Sequence, residues 1–338
     1  MKRLLATSIL TLSLGMALEA AAQTPVTGAG SSFAAPIYGA WATSYQAAKN
    51  ETVTYQSVGS GAGIAQIEAG AVEFGGTDKP LSSADLAKNN LMQFPTALGG
   101  VVPVINTPGI AAGQLHLDGP LLAEIFAGKV AMWNDPRIKA QNPTLALPDL
   151  PITVAYRSDK SGTSFLFTSY LSSVSPAWKA GPGAGDTVTW PAGLGGKGNA
   201  GVAQIMSDTM GTIGYVEYAF AKQNKLDYVA LKNHDGAFVA PDVAAFSAAA
   251  AKADWSKAPG FYLLLLDQPG AASWPITGAT FALVRKDVDA AHRAAVLRFF
   301  DWDFANGDAQ ASNLDYVPLP AAVKTLVRAS WGADAPKP

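Results

Sequence analysis

The stretch Arg157-Ser158-Asp159-Lys160-Ser161-Gly162-Thr163-Ser164-Phe165 sets a guanidinium, a carboxylate and several hydroxyls around one glycine. Pro151-Ile152-Thr153-Val154-Ala155-Tyr156 before it has the apolar run of a strand, and Phe165 to Tyr170 and Leu171 after it the opening turns of a helix. A strand that breaks at small residues and feeds a helix leaves backbone N–H groups unpaired at the positive end of the helix dipole, where an anion is stabilised. Ser161 and Thr163 add hydroxyl donors, Gly162 allows close approach to the backbone, and the Arg157 fork suits a tetrahedral oxyanion. Taken alone, Ser161 reads as an ordinary helix N-cap, the commoner use of serine before a helix, and the arginine four residues earlier shifts that reading.

The same grammar occurs twice more. Gly28-Ala29-Gly30-Ser31-Ser32-Phe33 opens a helical pattern through Tyr38, Trp41 and Tyr45. Gly59-Ser60-Gly61-Ala62-Gly63 follows the strand-like Thr52–Gln56 and opens Ile64–Ile67. Each Gly/Ser run by itself marks only a turn, but three such helix starts could cradle one anion.

These motifs, with Val72-Glu73-Phe74-Gly75-Gly76-Thr77-Asp78-Lys79-Pro80-Leu81, Gly193-Leu194-Gly195-Gly196-Lys197-Gly198-Asn199 and Ile213–Tyr218, resemble the periplasmic phosphate-binding proteins of phosphate-specific ABC transporters from about Thr27 to Trp331. The resemblance implies a two-domain α/β fold of the periplasmic-binding-protein kind, type II-like, hinged by two crossover strands with the ligand in the interdomain cleft. Carried over position by position, it implies phosphate contacts from Ser32, Phe33 (through its N–H), Ser60, Asp78, Arg157, Ser161, Gly162 and Thr163, with Asp159 orienting Arg157. It implies inorganic phosphate as ligand, an inner-membrane ABC permease with its ATPase subunits as partner, no cofactor, and a monomer. Ser32 stands where the family often has threonine, which keeps the hydroxyl. Gly61 and Ala62 stand where serine and glycine are common, which removes only an extra hydroxyl.

Asp78 looks misplaced beside an anion. An ionised carboxylate only accepts hydrogen bonds, so it suits a ligand that brings a proton, as phosphate does near neutral pH and sulfate does not. Standing alone, Thr77-Asp78 before Pro80 would read as a turn or helix cap; its place within Phe74-Gly75-Gly76-Thr77-Asp78, which resembles the family's ligand loop, favours the functional reading.

Residues 1–22 have the features of an export leader: Lys2-Arg3, an interrupted apolar segment from Leu4 to Leu18, and Ala20-Ala21-Ala22 as cleavage site. The expected location is the periplasm. No run reaches the roughly 18 apolar residues of a spanning helix. The formal net charge of −2 offers no electrostatic footprint for nucleic acid and leaves an anion to be held by local donors. With no cysteine there is neither disulfide nor thiol chemistry.

At 338 residues, 49% hydrophobic, the chain is long enough for two domains. Strand and helix patterns alternate. Gly99–Asn106 reads as a buried strand making the first crossover and Ser273–Thr277 as the return, which divides the chain into domain I (23–104 and 272–338) and domain II (105–271). Further helices are expected at Pro120–Phe126, Ala244–Ala253 and Val288–Phe304.

No catalytic residue and no metal ligand is expected. His116, His234 and His292 are widely separated, and Asp301 and Asp303 fall on different helix faces. Gly193–Gly198 lacks the Ser or Thr of a nucleotide phosphate loop, and no Gly-x-Ser-x-Gly elbow occurs. The rivals are a receptor for another oxyanion and a secreted phosphatase using the same cradle, which would need a metal cluster or a nucleophile paired with a base.

Overall fold

A computed structural model describes residues 25–336, so the expected leader lies outside the described residues. Eight strands form one continuous path: β1 (Val26–Gly30), β2 (Val53–Ser57), β3 (Phe74–Thr77), β4 (Leu91–Asn106), β5 (Thr153–Arg157), β6 (Leu194–Gly196), β7 (Thr212–Glu217) and β8 (Ile276–Arg285), in the order β2-β1-β3-β8-β4-β7-β5-β6. The pairs β1–β2, β1–β3, β5–β7 and β5–β6 are parallel, while β8 and β4 are antiparallel to their neighbours.

β4 joins the two halves of the molecule. Its first part, Leu91–Gly100, pairs with β8, and its second part, Val101–Asn106, pairs with β7. The strand therefore begins well before the Gly99 at which the sequence pattern starts. Pro95 masks it: the register with β8 slips between Thr280 and Phe281, and a bulge is one of the few places in a sheet interior that tolerates a residue without an N–H. The return is β8, and Trp274 just before it is fully buried and donates its indole N–H to the Val101 carbonyl at 3.0 Å, tying the two connections together.

Four parallel strands each run straight into a helix: β1 into α1 (Ala35–Lys49), β2 into α2 (Ser60–Glu68), β5 into α3 (Gly162–Val174) and β6 into α4 (Gly198–Asp208). In open α/β sheets such carboxyl ends are where ligands bind. Two of the turns belong to each half of the sheet, so a ligand between the halves meets helix starts from both sides.

The core holds each half rigid behind these turns. Tyr38 of α1 contacts Trp41, Tyr55, Phe74 and Phe300 through stacked or edge-on rings, which anchors α1 and β2. In the other half Phe167 of α3 stacks on Tyr215 of β7 with centroids 4.2 Å apart. A buried aromatic pair of this kind adds about 0.5–1.5 kcal/mol beyond its area. The expected helices appear at Gly119–Phe126, Val243–Ala250 and Ala290–Asn306. Residues 251–253, which the alanine pattern adds to the second of these, form no helix. Among the described residues no helix is long and apolar enough to cross a membrane.

Candidate functional site

Arg157 is the last residue of β5, and the site builds outward from it. Its backbone N–H donates to the Tyr215 hydroxyl at 3.1 Å, so the aromatic stack beneath fixes where the strand ends. Arg157 is 3% exposed. Nε and Nη2 bind both oxygens of Asp159 at 2.8 and 2.7 Å, and Nη1 donates to Thr163 Oγ1 at 3.3 Å. Asp159 Oδ1 accepts a further bond from the Gly198 N–H at 3.0 Å. Burial pushes the Asp159 carboxyl up, but the bonds and charge of Arg157 and the Gly198 N–H outweigh it and hold the group below its ordinary range.

Ser32, Phe33, Ser60, Asp78, Arg157, Ser161, Gly162 and Thr163 come together between the two halves of the sheet, all of them buried. The serine oxygens share a pattern. Ser32 Oγ accepts the Asn199 N–H at 3.2 Å, Ser60 Oγ the Asp78 N–H at 3.3 Å, and Ser161 Oγ the Ser164 N–H at 3.1 Å. Among the described residues none of the three, nor Thr163, donates to another protein group. An oxygen that accepts a backbone N–H is fixed in place and keeps its own proton to give. Ser161 is thus both the N-cap of α3 and an available donor, so its two sequence readings are compatible.

The two halves touch here. The Asn199–Ser32 bond crosses between them, as do Gly61 N–H to the Lys160 carbonyl at 2.9 Å and the ion pair of Lys79 and Asp186 at 2.9 Å. A Cβ on Gly162 would stand 2.5 Å from Ser60 Oγ and 2.8 Å from the Asp78 nitrogen, so only glycine permits this approach. A cavity of about 350 Å³ lined by Ser32, Gly59, Asp159, Lys197 and Asn199 marks one mouth of the junction.

Asp78 is 1% exposed and caps no helix. Desolvation raises its pKa to about 6, against the hydrogen bonds from Ser31 and Thr280 and the charge of Arg157, which lower it. The Ser31 hydroxyl stands 2.6 and 2.7 Å from the two carboxylate oxygens. The Phe33 N–H donates to Ser31 Oγ at 3.0 Å, and the Phe33 carbonyl accepts the Tyr316 hydroxyl at 2.5 Å. Behind it lies Glu217, whose carboxylate caps the helix Tyr218–Gln223 through the N–H groups of Ala219 and Phe220, while burial pushes its pKa up to about 8.

Sequence reasoning missed Ser31, Gly198 and Asn199. Adjacent residues at a turn point in different directions, so the pair Ser31-Ser32 already held the signal that one hydroxyl faces the cleft and the other the interior. The glycine-rich run before Asn199 forms the short strand Leu194–Gly196 and opens a helix, close to the grammar of the other three starts.

The chain matches the model of the PBP superfamily domain over residues 16–304. It is 50% identical over 310 residues to the phosphate-binding protein PstS of Xylella fastidiosa (strain 9a5c), covering 91% of this chain and 85% of that one. To PstS of Haemophilus influenzae it is 48% identical over 321 residues, covering 95% and 96%. The solved structure of a high affinity periplasmic phosphate-binding protein bound with phosphate superimposes with a TM-score of 0.74 at 23% identity, covering 91% of this chain and 94% of that one, a likeness of fold. The fold is accordingly the two-domain α/β fold of periplasmic binding proteins. At this level of identity along nine tenths of its length, the chain belongs to the PstS family of phosphate-binding proteins within the PBP superfamily.

Proposed function

We propose that the chain binds one inorganic phosphate ion between its two domains, in the periplasm, and delivers it to an inner-membrane ABC permease and its ATPase subunits, acting as a monomer and catalysing no reaction. The observation that carries this reading is the set of four buried hydroxyls, Ser32, Ser60, Ser161 and Thr163, whose oxygens are held by N–H donors and whose protons are uncommitted beside the Arg157 fork. Helix starts α2 and α3 back them with their dipoles. Phosphate would meet the Ser32, Ser60, Ser161 and Thr163 hydroxyls, the N–H groups of Phe33, Gly162 and Thr163, the Arg157 guanidinium, and Asp78 as an acceptor for its proton. An oxygen arriving at Phe33 competes with Ser31 Oγ for that N–H.

Domain I would comprise 23–104 and 272–338 and domain II 105–271. The change of partner along β4 at Gly100–Val101 supports the first division, and the start of β8 at Ile276 the return. Against a hydrolytic role, the three histidines are engaged elsewhere: His116 stacks on Phe238, His234 faces Asp267, and His292 faces Asp289. Calorimetry of the chain without its leader against phosphate, sulfate and a phosphate monoester tests the reading. Phosphate is expected to bind far more tightly than the other two; preference for sulfate or the ester would overturn it.

A further inference from the structure

Ser31 is 1% exposed in the turn between β1 and α1, and its hydroxyl has no freedom of role. One lone pair accepts the Phe33 N–H at 3.0 Å and the other the weaker Ala34 N–H at 3.4 Å. The Tyr55 hydroxyl holds the Ser31 carbonyl at 2.9 Å, which fixes the backbone. With both lone pairs engaged before a ligand arrives, this oxygen donates toward Asp78, and it lies within 2.7 Å of both carboxylate oxygens. A protonated Asp78 would offer a second O–H, which Ser31 accepts only by giving up the Phe33 or Ala34 N–H.

We propose that Ser31 is a specificity-determining residue of the cleft, a donor that keeps the Asp78 carboxylate an acceptor and so restricts the site to anions that bring a proton. The inference rests on the phosphate reading above. An ionised Asp78 accepts the proton of a hydrogenphosphate and repels sulfate. A protonated Asp78 becomes a donor that sulfate can use, and the filter is lost.

The surroundings favour such a switch being set locally. Burial already pushes the Asp78 proton affinity up, so its donors decide where the group titrates. The charged or titratable groups facing Asp78 are Arg157 from β5, Tyr38 from α1, Tyr55 from β2, Glu217 from β7 and Tyr316. The three phenols are held neutral by burial, and Glu217 stays protonated until the pH approaches about 8. Between pH ~5 and ~7 Asp78 is thus the member of the cluster that changes state, and Ser31 and Thr280 are the hydroxyls that stabilise its ionised form.

The test is sulfate binding followed from pH ~5 to ~8 by calorimetry, since sulfate itself takes up no proton in that range. The wild type is expected to accept sulfate only as the pH falls toward 6. In Ser31→Ala the onset should move up by about one pH unit or more, the usual effect of losing a hydrogen bond to a buried carboxylate. Ser31→Thr, which keeps the hydroxyl, should restore the wild-type onset. Asp78→Asn should bind sulfate with no such pH dependence, and adding Ser31→Ala to it should leave the profile unchanged, because the serine then has no carboxylate to hold. A Ser31→Ala profile that superimposes on the wild type while phosphate still binds overturns the inference alone, as does an equal shift in the Asp78→Asn background. A wild type that binds no phosphate overturns the functional reading, and this inference with it.

Discussion

Three charged side chains meet in the cleft, and two of them are negative. Asp159 occupies the Nε and Nη2 donors of Arg157 in a bidentate pair, which leaves Asp78 as excess negative charge where an anion is to be held. Attraction must then come from hydroxyl and N–H dipoles together with the buried Arg157 guanidinium. Arg157→Ala should weaken phosphate binding by about 1.5–3 kcal/mol, the range of a charge-assisted hydrogen bond, as read by calorimetry. It should also lower stability, because Asp159 keeps only the Gly198 N–H from its former partners. Unchanged affinity would place the ligand elsewhere. Asp78→Asn removes a like charge and supplies an N–H donor, so the phosphate-over-sulfate ratio should narrow from the roughly 10⁴-fold rejection that a site built around a ligand proton can reach. Competition binding near neutral pH checks it, and a ratio equal to the wild type would move discrimination to the other donors.

At the scale of elements, the start of α3 must pass close to the start of α2. Gly162→Ala would drive a methyl into Ser60 Oγ and the Asp78 backbone, which are too rigidly held to yield. Overpacking of this order costs about 1–3 kcal/mol. It should appear as lost phosphate affinity with little change in thermal stability of the free protein, because the clash arises only when the two helix starts meet. The end of β7 carries a different sensitivity. Glu217 has a folded pKa raised to about 8 by burial, against an ordinary value near 4.3 for an exposed glutamate. The stability it contributes is therefore complete below pH ~4 and is lost as pH rises through about 8. Melting temperature should fall across that window, and Glu217→Gln, which cannot ionise, should flatten the fall. A slope identical to the wild type would mean that Glu217 is not protonated in the folded chain.

The whole molecule presents donors from both halves to a single point, and only when the halves are together can one ion reach Ser32, Ser60 and Asp78 on one side and Arg157, Ser161, Gly162 and Thr163 on the other. Contacts across the junction include the Gly61–Lys160 backbone bond, the Asn199–Ser32 bond, the Tyr316–Glu217 bond at 3.3 Å, the partly exposed Lys79–Asp186 ion pair and Lys79 over the Phe165 ring. Contacts of that kind contribute little each, so the proposed closure would rest on the ligand to hold it. Small-angle scattering should show compaction when phosphate saturates the protein; superimposable curves with and without phosphate would argue against hinge closure.

The sequence alone determined the alternation of strands and helices, the three Gly/Ser-rich helix starts, and the oddity of a carboxylate after a glycine pair at Gly75-Gly76. Those features are local: they depend on residue type, on spacing along one strand or helix, and on the chemistry of a single side chain. Tertiary structure decided the rest. The full length of β4 was hidden by Pro95, whose bulge exists only opposite β8. That Ser32 and Ser60 keep their protons while Ser31 gives its proton away depends on which N–H groups arrive from Asn199, Asp78 and Phe33, residues up to 167 positions distant. Glycine at 162 reads in sequence as freedom of the backbone, whereas in the fold its lack of a Cβ is what lets the start of α3 pass close to Ser60 and Asp78. Hydrogen-bond roles and interdomain clearances are set by groups far apart in the chain, and no periodicity along the sequence encodes them.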